Sequence, residues 1–251
     1  MKVRIATYNI RKGGRRRRRF LADVVQGLDP DVTVLQEATD PRVVRYVADA
    51  AGARVVIHAP GRSVAMLSRV PTTDARWHRM ARARNFVEVE LADAGIRVIG
   101  VHLSAGLSGR GERRRLPEID RVLQVADAPP GAGRTLIAGD LNAVAPGDLS
   151  AVARLPAWIR LLLRVDGGIG TTVVAKVLGE GYTDAYRRLN PDVVGPTMPA
   201  AAPSVRLDYL MLGPDLAPAL VACGHGGLEP SLLWAASDHL PLVVDLDLSG
   251  T

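Results

Sequence analysis

The chain has 251 residues, 47% of them hydrophobic, and a formal net charge of +6 at pH 7. This length is sufficient to bury a sizeable core. Because no Gly/Ser-rich or Pro-rich linker divides the chain, we predict one domain over residues 1–251. Its one cysteine, Cys223, excludes an intrachain disulfide and a cysteine-based zinc site. The basic charge suits an anionic partner such as phosphate, nucleic acid or a membrane surface.

The amino-terminal residues, MKVRIATYNI, lead directly into a strand pattern without the apolar core of a signal peptide. No apolar run reaches the length that a membrane-spanning helix needs. We therefore expect a soluble, cytoplasmic protein without a transmembrane segment, and we expect it to be a monomer.

The first predicted strand alternates apolar and polar residues from Lys2 and ends at Asn9. After a Gly-rich turn, five consecutive arginines, Arg15 to Arg19, lead into a helix. Its apolar face is predicted to contain Phe20, Val24, Val25 and Leu28. The arginine run is typical of a solvated helix start, and contact with a phosphate backbone is the alternative.

Polar residues also follow the next predicted strands. VTVLQEA is a second strand whose end carries Glu37, a residue poorly suited to packing directly after a buried strand. A helix over PRVVRYVADAAG and the strands RVVIHAP and SVAMLSRVP follow. FVEVELAD and IRVIGVHLSAG then predict a hairpin, and the second of these strands ends at His102.

In the segment RTLIAGDLNAV, a short apolar strand ends in two polar residues. Asp140 and Asn142 lie two positions apart, so an extended backbone would direct both side chains to the same side. The carboxyl end of a strand is also where open α/β sheets place their sites. An Asx-rich turn that merely closes the strand is the alternative.

The second half of the chain predicts a basic helix over GLSGRGERRRLPEIDRVLQVAD and an apolar helix within LPAWIRLLLRVDGGIG. We expect the apolar helix to pack on the body as an insertion, and a helix at a membrane surface or one that recruits substrate is the alternative. Asp184 is expected to cap a short helix. Asp208, within the strand SVRLDYLML, needs a cationic or hydrogen-bonding partner. Asp238 and His239 directly precede the last strand.

Strands that are short, numerous and joined both by hairpins and by helices favour an α/β protein with mixed sheets. In chain order, the motifs TYNIRKG, LQEA, VAMLSRVP, GVHLSAG, AGDLNAV, RLDYLML and SDHLPLVVDL resemble the endonuclease/exonuclease/phosphatase superfamily. The resemblance covers essentially the whole chain. It implies a four-layer α/β/β/α sandwich of two mixed β-sheets, with a metal-dependent phosphoesterase site at one edge.

The resemblance also implies a role for each strand-end residue. Glu37 is the expected main metal ligand, with Asn9 and Asp238 completing or supporting the site. Mg²⁺ is the expected ion because it prefers carboxylate oxygens while retaining several waters, and Mn²⁺ is the alternative. Asp140 would orient and deprotonate the attacking water, and Asn142 would hold the phosphate or the water.

Three further residues complete the expected site. His239 would donate to a non-bridging phosphate oxygen, and Asp208 would be its carboxylate partner and favour the imidazolium form. His102 would assist the pentacovalent state or the leaving group.

We expect hydrolysis of DNA, since the basic stretches Arg15–Arg19, Arg110 and Arg113–Arg115 each follow a candidate strand end. Arg110, Arg113 and Arg114 are the expected phosphate contacts. Abasic-site nucleases of this superfamily usually carry a tyrosine in the region that Val101-His102-Leu103 occupies in this chain, which argues against abasic-site repair. A phosphoesterase of a small molecule or phospholipid head group is the alternative, and an inactive nucleic-acid-binding protein is a third hypothesis.

Overall fold

The computed structural model describes residues 1–129, 131–152, 155 and 157–250. Its twelve strands in chain order are β1 (Lys2–Asn9), β2 (Val32–Gln36), β3 (Val55–Ile57), β4 (Val64–Ser68), β5 (Arg76–Arg79), β6 (Asn85–Leu91), β7 (Ile96–His102), β8 (Thr135–Asp140), β9 (Thr183–Asp184), β10 (Asp208–Leu212), β11 (Leu220–Gly224) and β12 (Leu242–Asp247). The helices are α1 (Arg18–Leu28), α2 (Pro41–Ala50), α3 (Gly109–Ala126), α4 (Leu149–Val152), α5 (Ala157–Val165), α6 (Thr172–Gly179), α7 (Ala185–Leu189) and α8 (Pro230–Ala236).

The strands form two six-stranded sheets. The first sheet has the order β11-β12-β1-β2-β4-β3, and the second has the order β5-β6-β7-β8-β10-β9. Each sheet is mixed, because β1 pairs with β2 and β7 with β8 in parallel, whereas the other described pairs are antiparallel. The chain therefore builds most of the first sheet, then the second, and returns to the first with its last two strands.

The two sheets pack face to face through an apolar core. Its members alternate along the strands of both sheets and include Ile5, Val34, Met66, Val98 and Leu136. In the second sheet, Gly100 lies in β7 where a Cβ atom would be 2.8 Å from the Met66 Cε atom and 2.9 Å from the Val34 Cγ1 atom, so a side chain there would displace the facing side chains of the first sheet.

Helices cover the outer faces of both sheets. α1, α2 and α8 pack on the first sheet, while α3 and α6 pack on the second. These layers confirm the predicted four-layer α/β/β/α sandwich with two mixed β-sheets.

The apolar face of α1 differs from the prediction at one position. Phe20 is 44% exposed, and the buried stripe is formed instead by Leu21, Val24, Val25 and Leu28. Leu21 lies three, four and seven positions before the other members of the stripe, so it faces the sheet one turn before Val24.

Asp184 caps α7, as expected, and accepts a hydrogen bond from the backbone N–H of Arg187. Its carboxylate also belongs to a buried ion network that the sequence did not indicate. The guanidinium of Arg206, which is fully buried, contacts Asp184 at 2.6 Å and Asp148 at 2.9 Å. The Arg206 guanidinium carbon also lies 5.5 Å from the centre of the Tyr186 ring and 4.7 Å from the centre of the Tyr209 ring.

The apolar segment after Leu155 forms the helix α5, as expected, but only part of it packs on the body. Leu163 packs against the small cluster that contains Leu155 and Leu207. Trp158, Leu161 and Val165 are exposed at 65%, 62% and 80%. Among the described residues, no helix combines the length and the apolar character needed to cross a membrane.

Candidate active site

The predicted site residues meet at one edge of the two sheets. The two parallel strand pairs point their carboxyl ends to this edge, where they end at Asn9, His102 and Asp140, with Glu37 directly after β2. The antiparallel neighbours begin at the same edge, so β10 contributes Asp208 and the segment before β12 contributes Asp238 and His239.

Asp208 is the first residue of β10, whereas the sequence placed it in the middle of a strand. The backbone N–H groups of Leu207 and Asp208 donate to the Thr197 hydroxyl at 3.0 and 3.3 Å, so the residues before Asp208 belong to a loop. In the sheet, Asp208 lies opposite Asp140. This register brings two buried carboxylates side by side.

Asp140 and Asn142 form an Asx turn at the end of β8. Asn142 is not extended, as the sequence interpretation assumed, but has a φ of 49°. An asparagine tolerates this left-handed conformation because its short side chain bonds locally. Its backbone N–H donates to the Asp140 Oδ1 atom at 2.8 Å, and its side-chain N–H donates to the Leu103 carbonyl oxygen at 3.0 Å. The turn thus fixes the Asp140 carboxylate at the edge of the sheet.

The side-chain amide of Asn9 connects the two sheets. Its Nδ2 atom donates to the Asp140 Oδ2 atom at 2.9 Å and to the Glu37 Oε1 atom at 3.4 Å. The other oxygen of Glu37 accepts a hydrogen bond from the Lys12 backbone N–H at 2.6 Å. The Ser237 hydroxyl donates to the Asn9 carbonyl oxygen at 2.6 Å and thereby ties β1 to the segment that carries Asp238 and His239.

His239 and Asp208 form a buried pair across the two sheets, with 2.8 Å between the His239 Nδ1 atom and the Asp208 Oδ2 atom. Burial alone would lower the pKa of His239, but the attraction and hydrogen bond of the Asp208 carboxylate outweigh it and raise the pKa to about 10. The imidazole is therefore cationic at neutral pH. Asp208 is thus positioned as the carboxylate partner that the sequence predicted for His239.

Asp140 lies in an environment that favours its protonated form. Burial and the neighbouring Asp208 carboxylate raise the pKa of Asp140 to about 7, even though His239 and the hydrogen bond from Asn9 stabilise the anion. A carboxylate with a pKa near neutrality can both accept and release a proton at physiological pH.

His102 also lies beside Asp140, with its Nε2 atom 3.9 Å from the Asp140 Oδ2 atom. Its Nδ1 atom is 3.3 Å from the Ser63 hydroxyl, and the Arg84 guanidinium donates to its carbonyl oxygen at 2.7 Å. Burial and the Arg84 charge lower the pKa of His102 to about 3, so this ring is neutral. Sequence reasoning missed Ser63 and Arg84, which come from loops before β4 and β6 and carry no local signal.

The donor set at this edge fits a divalent cation. Asp140, Asp208 and His239 each offer one atom within 4.8 Å of the others. The Asp208 Oδ1 atom is buried and has no hydrogen-bond partner among the described residues, which leaves an acceptor available for a cation or a water. Glu37 brings a third carboxylate to this edge, because the Asn9 amide that donates to Asp140 also donates to Glu37. A hard ion such as Mg²⁺ would take the carboxylate oxygens, since a protonated His239 has no free lone pair.

Arginines surround the rim of this site. Arg11 pairs with Asp238 at 3.1 Å, so the Asp238 carboxylate lies at the rim. Within the predicted arginine run, Arg15 pairs with Asp40 at 2.5 Å. Arg17 donates to the carbonyl oxygens of Ile10, Arg11 and Ala236 and joins the segments on either side of the site. The remaining members of the run are exposed, so the run is partly structural and partly a solvated helix start.

The basic segment of α3 also divides into two parts. Arg110, Arg113 and Arg114 are exposed and lie outside the cluster described above. Arg115, which the sequence grouped with them, is fully buried and donates to the Ser104 carbonyl oxygen at 3.1 Å and to the Glu112 carboxylate at 3.1 Å. It holds the loop after His102 and cannot contact a phosphate on the surface.

The chain is similar to known proteins in its sequence profile and in its fold. The chain matches the sequence profile described as the Endonuclease/Exonuclease/phosphatase family over residues 6–239. No curated protein sequence matches it. The fold is similar to that of an AP endonuclease from Archaeoglobus fulgidus, with a TM-score of 0.77 and 21% identity over 98% of this chain and 100% of the other.

Two further solved structures share the fold. An endonuclease/exonuclease/phosphatase from Beutenbergia cavernae has a TM-score of 0.71 and 22% identity over 99% of this chain and 72% of the other. The 3' phosphatase NExo from Neisseria, solved with a product DNA hairpin, has a TM-score of 0.70 and 20% identity over 98% of this chain and 99% of the other.

Proposed function

Because the chain belongs to the endonuclease/exonuclease/phosphatase family, whose members hydrolyse phosphoester bonds, we propose that it hydrolyses phosphodiester bonds of DNA with a divalent ion, Mg²⁺. One observation carries this proposal. The buried carboxylate of Asp140 has a pKa of about 7, and both the neutral His102 and the cationic His239–Asp208 pair lie within 4.8 Å of it. This arrangement places a proton acceptor, Asp140, next to a fixed positive charge on His239.

In the proposed reaction, Asp140 orients a water molecule and accepts its proton as the water oxygen attacks phosphorus in line with the leaving oxygen. The hydrogen bonds from Asn9 and Asn142 hold both carboxylate oxygens of Asp140 in place. Proton transfer to a positioned base typically contributes ~10²–10⁴-fold to the rate. No covalent intermediate with the protein is needed.

The other side chains would stabilise the charge that develops on the phosphoryl oxygens. His239, held cationic by Asp208, donates to a non-bridging oxygen, and such a fixed donor acts most strongly where charge increases in the transition state. Neutral His102 acts as a hydrogen-bond donor toward the pentacovalent state or the leaving oxygen. Asn142 assists in holding the phosphate or the water.

Glu37 would hold the divalent ion, with Asn9 and Asp238 in support, and the Asp208 Oδ1 atom would offer a further oxygen ligand. When bound, the ion neutralises phosphoryl oxygens and adds several kcal/mol of charge stabilisation. Mn²⁺ has the same preference for oxygen ligands and is the expected substitute.

Charge supports a nucleic-acid substrate. The chain carries a formal net charge of +6, and exposed arginines lie on α1 and α3, the helices that follow β1 and β7 at the active edge. A phosphodiester backbone matches such a surface. One structural relative, the Neisseria 3' phosphatase, was solved with a product DNA hairpin.

A second candidate substrate is a phospholipid head group, and the apolar face of α5 favours it. Trp158, Leu161 and Val165 are exposed on a helix that also carries Arg160 and Arg164. An amphipathic helix with basic and aromatic residues is typical of proteins that bind membrane surfaces.

Hydrolysis of plasmid DNA, single-stranded DNA, RNA, bis-(p-nitrophenyl) phosphate and phospholipid vesicles, with Mg²⁺, Mn²⁺ or EDTA, tests the proposal. We expect DNA hydrolysis that EDTA abolishes, and a loss of ~10²–10⁴-fold in Asp140→Ala and in the isosteric Asp140→Asn. Asp23→Ala, which removes an exposed aspartate on α1, is the matched control. Unchanged hydrolysis in both Asp140 variants would refute the assignment, and preferential hydrolysis of vesicles would favour the second candidate.

A further inference from the structure

Four arginine side chains surround one surface groove near the candidate active site. The groove has a volume of about 410 Å³ and is lined by Arg82, Arg110, Arg113, Arg114 and Pro117. We call it the arginine groove. Three of its arginines lie on one face of α3, at spacings of three and four residues, and Arg82 approaches from the turn between β5 and β6. The sequence did not indicate Arg82, because only the tertiary structure brings that turn to α3.

The positive charge of this groove is largely uncompensated. Arg110 pairs with Asp166 at 3.0 Å. Arg82, Arg113 and Arg114 have no ion pair with any carboxylate in the part of the chain that the structure describes, and no acidic residue lines the groove. Guanidinium groups that face one space repel each other, and an anion placed between them removes this repulsion. The planar guanidinium group also matches the geometry of phosphate oxygens.

The position of the groove connects it to the catalytic edge. Arg84, two residues after Arg82, donates to the His102 carbonyl oxygen at 2.7 Å. On the other side of the groove, α3 begins only seven residues after His102, and its buried Arg115 holds the loop between them at Ser104. Both walls of the groove are therefore fixed to the strand end that contacts Asp140.

We propose that the arginine groove binds the phosphate backbone of a nucleic-acid strand on one side of the bond that is cut, with Arg82, Arg113 and Arg114 as its main contacts. The role as a substrate subsite rests on the proposed function. The groove would make the enzyme selective for a chain of phosphodiesters, because its arginines have no contact with the cluster around Asp140 among the described residues and would bind a second phosphate of the chain.

Binding can be measured apart from hydrolysis. The groove variant Arg82→Ser/Arg113→Ser/Arg114→Ser is compared with the control variant Arg45→Ser/Arg54→Ser/Arg121→Ser, which removes the same charge from three exposed arginines outside the groove. Fluorescence anisotropy of a labelled single-stranded 20-mer in EDTA gives the Kd. We expect the groove variant to bind the 20-mer at least about tenfold more weakly. The slope of log association constant against log salt concentration should become less steep by about 2. Equal effects in both variants would overturn the proposal.

Hydrolysis with Mg²⁺ then tests the link to the active site. The ratio of kcat/KM for the 20-mer to kcat/KM for bis-(p-nitrophenyl) phosphate should fall about tenfold or more in the groove variant and stay unchanged in the control variant. An unchanged ratio in the groove variant would overturn the proposal. So would loss of binding to phosphatidylserine vesicles with an unchanged Kd for the 20-mer, because the groove would then be a lipid site. Weaker 20-mer binding in the groove variant, combined with no hydrolysis of either substrate by the unmodified protein, would support the groove and refute the proposed function.

Discussion

Replacement of Asp208 by asparagine should shift the pH dependence of the enzyme to lower pH. The Asp208 carboxylate, 2.8 Å from the His239 Nδ1 atom, raises the pKa of His239 to about 10. Asparagine keeps the size of the side chain but removes its charge. Because burial by itself lowers the pKa of His239, we expect that pKa to fall toward its ordinary value near 6.5.

The magnitude follows from the protonated fraction of His239, which is lost as the pH rises through its pKa. At pH 8 the unmodified protein keeps this imidazole almost fully protonated, whereas a pKa near 6.5 leaves only about 3% protonated in the variant. If the cation is the reactive form, kcat falls about 30-fold at pH 8 from this cause alone. The difference in kcat between the variant and the unmodified protein should become smaller toward pH 6, where His239 is protonated in most molecules of the variant. Loss of the Asp208 charge also lowers the pKa of Asp140, which moves the rising part of the profile in the same direction.

Two measurements check this reasoning. NMR titration of the His239 ring in metal-free protein gives its pKa directly, and kcat with saturating Mg²⁺ between pH 6 and 9 gives the rate profile. Asp238→Asn is the control for the titration, since Asp238 pairs with Arg11 and is the least of the influences that raise the pKa of His239. A His239 pKa that stays near 10 in Asp208→Asn, or a rate deficit that does not change with pH, would refute the role assigned to this pair.

Three further predictions concern stability and reactivity. Arg206→Met leaves the buried Asp184 without a cationic partner and leaves Asp148 paired with Arg187 alone, so it should lower the free energy of unfolding by about 3–5 kcal/mol in urea titrations. Arg187→Met, at a half-buried pair, should cost less, and equal costs would contradict this account. Gly139→Ala should prevent normal folding, as judged by circular dichroism, because Gly139 has a φ of 153° and a Cβ atom would lie 2.0 Å from a carbonyl oxygen of β7. Burial raises the pKa of the Cys223 thiol, so the native protein at pH 8 should react with a disulfide reagent far more slowly than the urea-unfolded protein.

The strand ends were predictable from the sequence because their signals are local. A short apolar run followed by Asp140, Glu37 or His102 is visible without any tertiary information, and the spacing of such runs indicated mixed sheets. Burial of single polar residues was not predictable in this way. Arg115 looks like its exposed neighbours in the sequence, and only the turn of α3 on which it lies directs it inward.

Short edge strands were also missed. Neither β5 nor β11 was predicted from the sequence, and their residues are exposed or half-buried. An edge strand pairs on one side only, so its sequence carries little of the alternation that marks a central strand. Ion pairs between residues that are distant in the sequence could not be predicted either. The partners of Arg206 lie 58 and 22 positions away, and no local pattern connects them.

Because the site is divided between the two sheets, its activity depends on how the sheets are aligned. Asp208 belongs to one sheet and His239 to the other, and the amide of Asn9 crosses the same boundary to Asp140. These polar contacts tolerate little displacement, whereas the apolar contacts between the sheets change gradually when the sheets slide. Activity therefore reports the alignment of the two sheets. Mild heat, pressure or denaturant should therefore abolish hydrolysis while the secondary structure is still intact. A ligand that binds to both sheets should restore their alignment and the rate of hydrolysis together.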